Sequence, residues 1–147
     1  MNSPISQPSS GSGSRSDGPA TLVIDRHDDI AYTRTALTAH HPAAGRITVH
    51  PTPGTDSVTT LAHDILAALG KPPDLTGTRP LRPGPVWDAA AAWILTAPVT
   101  RLTVLRAHLL TPERWHHLLA LRERTGLHLT AVCHRAPPAP PWPRPWP

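Results

Sequence analysis

The chain is 147 residues long with a formal charge of +4, ten histidines, twenty prolines and a single lysine, Lys71. That length accommodates one domain, and no segment approaches the ~18 consecutive apolar residues of a membrane-spanning helix. Cys133 is the only cysteine, so an intramolecular disulfide is excluded, and the first nineteen residues carry no apolar signal segment, which makes the cytoplasm the expected compartment.

Residues 1–19, rich in Ser, Gly and Pro, lack the apolar content that repays ordering and read as a disordered arm. ATLVID follows as a compact apolar run ending in the charged turn DRHDD. IAYTRTALTAHH then reads as a helix capped by Asp28 or Asp29, its periodicity resting on Ile30, Thr33 and Leu37. Pro42 and Gly45 break the chain before RITVHP, a second strand. From Asp56 to Leu69 the apolar residues Val58, Leu61, Ala62, Ile65, Leu66 and Leu69 recur at helical spacing. Thr55 or Asp56 is expected to cap that helix, and Gly70 with Pro72 to end it.

KPPDLTGTRPLRPGP, from Lys71 to Pro85, is a loop. A second amphipathic helix is predicted over Pro85 to Thr96, with Val86, Ala89, Ala90, Trp93, Ile94 and Ala97 on its stripe, and Pro98 stops it. The stretch from Val99 to His134 reads as strand, helix, strand. Thr111 caps the helix, Pro112 opens it and Gly126 closes it. Apolar runs around Leu102 and from Leu127 to Cys133 flank it, which predicts a right-handed βαβ unit and a parallel sheet. The expected fold is therefore α/β: a small three-layer domain over 20–134, with a parallel sheet of about four strands and helices on both faces. Residues 135–147, RAPPAPPWPRPWP, form a proline-rich tail suited to polyproline II structure and to an aromatic groove on another protein.

In this order of elements the chain resembles the ATP-binding core of AAA-type P-loop ATPases, particularly the bacterial ones that serve transposition and secretion machinery. RITVHPTPGTDSVTTLAHDILAALGKP is similar to the second strand and helix of that family. LTVLRAHLLTPERWHHLLALRERTGLHLTAVCH is similar to its third strand, Walker B turn, helix and fourth strand. The family's Asp-Glu-Ala-His is here Leu105, Arg106, Ala107 and His108, so the carboxylates that orient magnesium and the attacking water are replaced. At the P-loop position stand Arg26, His27, Asp28, Asp29, Ile30, Ala31, Tyr32 and Thr33. Only Thr33 keeps its type. Tyr32 stands where the phosphate-binding lysine belongs, and Asp28 and Asp29 would repel a triphosphate. The resemblance thus implies a degenerate, non-catalytic scaffold that binds a protein partner, an accessory of a DNA-transaction or mobile-element system. Its alternatives are an ATP-binding subunit, completed by a partner and using Mg-ATP, or a weakly basic nucleic-acid binder.

Ligand sites of parallel sheets form beyond the carboxyl ends of the strands. The residues expected there are Asp25, His27, Asp28 and Asp29, then His50, then Arg106 and His108, then His134. One reading of this rim is a metal site of Asp25 or Asp28 with His50 and His108, although no short-range ligand motif supports it. Cys133 reads as a buried apolar residue, since neighbouring strand positions point to opposite faces and separate it from His134. His116 and His117, with Arg114, Arg122 and Arg124, read as a solvated basic helix face or, alternatively, a nucleic-acid contact. Trp87, Trp93 and Trp115 read as core or interface anchors.

Overall fold

The computed structural model describes residues 20–71 and 82–135. The arm, most of the loop after Lys71, including Pro72, and the proline-rich tail from residue 136 lie outside the described residues. The elements run β1 (Ala20–Ile24), α1 (Ile30–Thr38), β2 (Arg46–Val49), α2 (Val58–Ala68), α3 (Pro83–Thr96), β3 (Arg101–Val104), α4 (Pro112–Thr125) and β4 (His128–Cys133). Short 3-10 turns at Pro42–Ala44 and Ala107–Leu109 precede β2 and follow β3. All four strands are parallel, in the order β1-β4-β3-β2. The fold class is the one the apolar runs predict, and the strands beginning near Leu102 and Leu127 are parallel neighbours.

Strand periodicity divides the sheet into two unlike faces. Ile47 and Val49, Leu102 and Val104, and Leu129 and Ala131 point to one side and pack with the apolar faces of α2, α3 and α4 into a single core. The other side carries a row of threonines in register, Thr21, Thr130, Thr103 and Thr48. Among the described residues only α1 attends that side. The Thr48 hydroxyl donates to the Ala36 carbonyl at 2.8 Å, and the Thr48 N–H donates to His40 Nδ1 at 3.1 Å.

No residue of α1 is buried. Ile30 and Leu37 are 61% and 50% exposed, contrary to the stripe expected of them, and the half-buried residues of the helix are Thr33 and Ala36. Its apolar residues form no buried stripe that fixes its rotation, and the Thr48–Ala36 hydrogen bond, with that to His40 just beyond the helix, ties it to β2. Asp29 supplies the cap, accepting from the Ala31 N–H at 2.8 Å.

In α2 every residue of the predicted stripe is buried. Its cap is Ser57, not Thr55 or Asp56: the Ser57 hydroxyl accepts from the Thr60 N–H, while Thr55 accepts from the Ser57 N–H. In α3 the buried residues are Val86, Trp87, Ala90, Ala91 and Ile94. Trp93 is 39% exposed instead, its ring lying 4.3 Å beneath the Lys71 ammonium. Trp87 and Trp115 are core residues. In α4 the three predicted boundary residues hold: Thr111 accepts from the Arg114 N–H, Pro112 is first, and Gly126 is left-handed at φ 70°.

Gly45 ties β2 to β3. Its carbonyl accepts from the N–H groups of Thr100 and Arg101 at 2.8 and 3.0 Å. A Cβ there would stand 2.8 Å from the Pro98 carbonyl oxygen, and φ is +74°. Only glycine meets both conditions.

Candidate functional site

The chain segments leaving β1, β3 and β4 converge at the carboxyl edge of the sheet. β1 leads into Asp25, whose N–H donates to the Cys133 carbonyl at 2.8 Å and so prolongs the ladder by one residue. The Asp25 side chain is turned inward at 6% exposure. One carboxylate oxygen accepts from the Asp29 N–H at 2.9 Å, the other from the His27 N–H at 3.3 Å.

Several further N–H groups of the loop and the first turn of α1 are also engaged. The Asp28 N–H reaches the Asp25 carbonyl at 3.4 Å, Ala31 donates to the Asp29 carboxylate, and Tyr32 and Thr33 both donate to the Asp29 carbonyl. A phosphate-binding loop works by leaving such N–H groups convergent and free for an anion. Here the chain's own Asp25 carboxylate accepts from two of them. Of the residues that the resemblance to P-loop ATPases would place at a nucleotide, Arg26 is exposed, Tyr32 is 63% exposed, Thr33 is half-buried and Leu105 is buried.

β4 delivers His134 into this cluster. His134 Nε2 is 3.2 Å from the Asp28 carboxylate, and Nδ1 is 3.3 Å from the Asp25 carbonyl and 3.8 Å from its carboxylate. The His134 N–H donates to His108 Nδ1 at 3.3 Å, and the two imidazoles meet edge to face at 5.0 Å. Because His108 Nδ1 serves as an acceptor, this contact suits the neutral ring. Burial, followed by the charges of His134, Arg135 and Arg106, holds the His108 pKa below its ordinary value, with Asp28 pulling weakly the other way. Arg106 closes the cluster with an ion pair to Asp28 at 3.6 Å.

Five of the predicted rim residues, Asp25, Asp28, Arg106, His108 and His134, are therefore brought together. His27 contributes its backbone, and Asp29 serves as the cap of α1. His50 is not in the cluster; it lines an adjoining cleft between the ends of β2 and β3. The metal reading needed His50, and among the described residues no three His, Cys, Asp or Glu residues assemble as ligands. Cys133 is fully buried, and burial pushes its thiol up to about 11. It is an unreactive core residue.

Arg114 departs from its predicted place on a solvated basic face. It is 3% exposed, and its Nε and Nη2 are buried without hydrogen-bond partners. The signal was present in the sequence: 114, 118 and 121 fall at i, i+4 and i+7, so Arg114 shares the buried side of α4 with Leu118 and Leu121. His117 also leaves that face, stacking on Trp87 at a centroid distance of 5.1 Å and an interplanar angle of 14°. His116 and Arg124 are exposed, the latter paired with Asp88 at 2.8 Å.

Among the described residues no helix is long and apolar enough to cross a membrane. No protein-family model matches the chain, and no curated protein matches it.

Proposed function

We propose that the protein is a non-catalytic binding module built on a P-loop-ATPase-like scaffold. The observation that carries this reading is the Asp25 carboxylate seated on the N–H groups of His27 and Asp29, where a nucleotide phosphate would need them. An internal anion at that position competes with any incoming one through its charge and by occupying the same donors. The four-stranded parallel sheet and the βαβ unit from Arg101 to Cys133 support the scaffold half of the reading. Leu105 and Arg106, standing where two carboxylates would serve magnesium and water, support the non-catalytic half.

The partner is a protein that meets the first strand and helix. Large apolar side chains are exposed there in succession: Val23, Ile24, Ile30, Tyr32 and Leu37. β1 is an edge strand with the uncharged sequence ATLVI, carrying neither the proline nor the lysine that usually guards a free edge, so an extended segment of the partner can add to it by backbone pairing. The association with DNA-transaction or mobile-element systems rests on the family resemblance alone. Titration calorimetry with Mg-ATP tests the reading: no binding heat is expected, and micromolar affinity on metal-verified, contaminant-free protein overturns it.

A further inference from the structure

The flank of the sheet that faces α1 is built from elements without acids. β1, β2, β3, β4 and α1 contain no aspartate or glutamate, while Arg34, Arg46, Arg101 and His128 lie on them. Three of these four stand in one row. Arg46 is the register partner of Arg101, and Arg101 is that of His128, so the three are neighbours on strands about 4.8 Å apart. The pleat turns them to the α1 side, because Ile47, Leu102 and Leu129, the next residue in each strand, point into the core.

Both arginines are exposed, and among the described residues neither takes part in an ion pair. Like charges at neighbouring strand positions repel, and no described carboxylate offsets that repulsion. Two residues further along each strand the same face carries the threonine row. Thr48 is engaged by α1, whereas Thr103 and Thr130 are half-buried and Thr21 is exposed. His128 Nε2 lies 2.9 Å from the Thr21 hydroxyl and so links the two rows. The strip left beside α1 runs from β3 across β4 to β1, about 10 Å between its outer strands.

Forked guanidinium groups with hydroxyl donors behind them are the side chains that contact a nucleic-acid backbone: arginine takes phosphate oxygens in pairs, and threonine donates to them singly. A row of hydroxyls suits a chain that brings acceptor oxygens on every unit, and the narrow strip suits one strand of it. We propose that this strip binds the sugar–phosphate backbone of single-stranded nucleic acid, with Arg46 and Arg101 on neighbouring phosphates and Thr103 and Thr130 beside them. The proposal goes beyond the binding-module reading and is independent of it. The arginine row lies at the amino end of the sheet and the Asp25 loop at its carboxyl end, and a protein strand adding to β1 would use its edge and not this face.

The test is the fluorescence anisotropy of a labelled oligothymidylate of about twelve nucleotides, titrated with the full chain over a series of salt concentrations. Micromolar affinity is expected at low salt, with the logarithm of the binding constant falling against that of salt at a slope of about −2, the signature of three phosphates. Arg46→Gln combined with Arg101→Gln is expected to weaken binding at least tenfold and to flatten the slope by about 1.4. Its melting temperature should be no lower than the parent's, since it removes two exposed like charges. Arg26→Gln combined with Arg82→Gln removes the same charge from exposed positions remote from the row, in the loop after β1 and at the start of α3, and should bind as the parent does. The proposal fails if the oligonucleotide is not bound at tens of micromolar protein, if the slope is unchanged in the row variant, or if the charge-matched variant loses as much affinity. Polyglutamate or a duplex of the same length bound as tightly as the single strand also overturns it, the first in favour of an acidic peptide and the second in favour of an unselective surface for polyanions.

Discussion

Arg106 and Asp28 both occupy the left-handed backbone region, at φ 50° and 48°, and their side chains meet at 3.6 Å across the carboxyl edge of the sheet. Aspartate tolerates that region through local hydrogen bonding, whereas arginine pays roughly 1–2 kcal/mol there. An ion pair between half-exposed groups returns about 0–1 kcal/mol. Arg106→Gly is therefore expected to raise stability by up to about 1 kcal/mol in urea unfolding. A clear loss would show that this guanidinium holds more than Asp28.

The Asp25 carboxylate is the keystone of the loop after β1. Asp25→Ala leaves the N–H groups of His27 and Asp29 without their acceptor and is expected to cost about 2 kcal/mol. Asp25→Asn retains one acceptor oxygen and should cost less. Amide exchange at Asp29 reads the same event locally, and it should accelerate in the alanine variant before global unfolding does.

Acid lability is expected to trace in part to His108. Its folded pKa lies below the ordinary value of 6.5, first through burial and then through His134, Arg135 and Arg106. The unfolded chain therefore takes up the proton first as pH falls through about 6.5, and this share of stability is lost between that point and the lower folded value. His108→Asn keeps an acceptor for the His134 N–H and removes the titration. The difference in melting temperature between parent and variant should be constant above neutrality and change below it. A difference independent of pH would contradict the assignment.

Gly45→Ala should be among the most damaging small substitutions, at about 3 kcal/mol, because left-handed strain and a 2.8 Å contact with the Pro98 carbonyl act together. Gly126→Ala is the control. At φ 70° with open space around the added methyl, it should cost only about 1 kcal/mol.

Cys133 is expected to resist alkylation in the folded protein at about pH 8, since its thiol is fully buried and pushed up to about 11. Labelling with iodoacetamide should track global unfolding across a denaturant series. Labelling in advance of it would reveal local opening of β4.

Much of this architecture was legible in the sequence, and the residues show why. The strongly periodic stripe of α2 left one way to bury Leu61, Ile65 and Leu66, and the signals at Thr111, Pro112 and Gly126 fixed α4 by backbone chemistry alone. α3 was harder because it is apolar on nearly every side, so Trp87 and Ala91 competed with Trp93 for the core and periodicity could not choose. α1 had the opposite problem, with too little apolar content to orient it. The rim residues followed from strand ends, and five of them do converge. The plugging of the loop by Asp25 did not follow, because it depends on a side chain folding back over its own following turn. The charge of Arg114 points to solvent, while its spacing with Leu118 and Leu121 on α4 places it inside.

The threonine row from Thr21 to Thr48 settles a tension in this domain. A parallel sheet is ordinarily shielded by helices on both sides, yet among the described residues one flank here has a single thin helix. Threonine retains the branched shape that strands favour while keeping a hydroxyl, which Thr48 gives to the Ala36 carbonyl and Thr21 shares with His128. Along that row the flank stays polar, and replacing Thr21, Thr103 and Thr130 with valine would spread the exposed apolar patch at Val23 across the sheet.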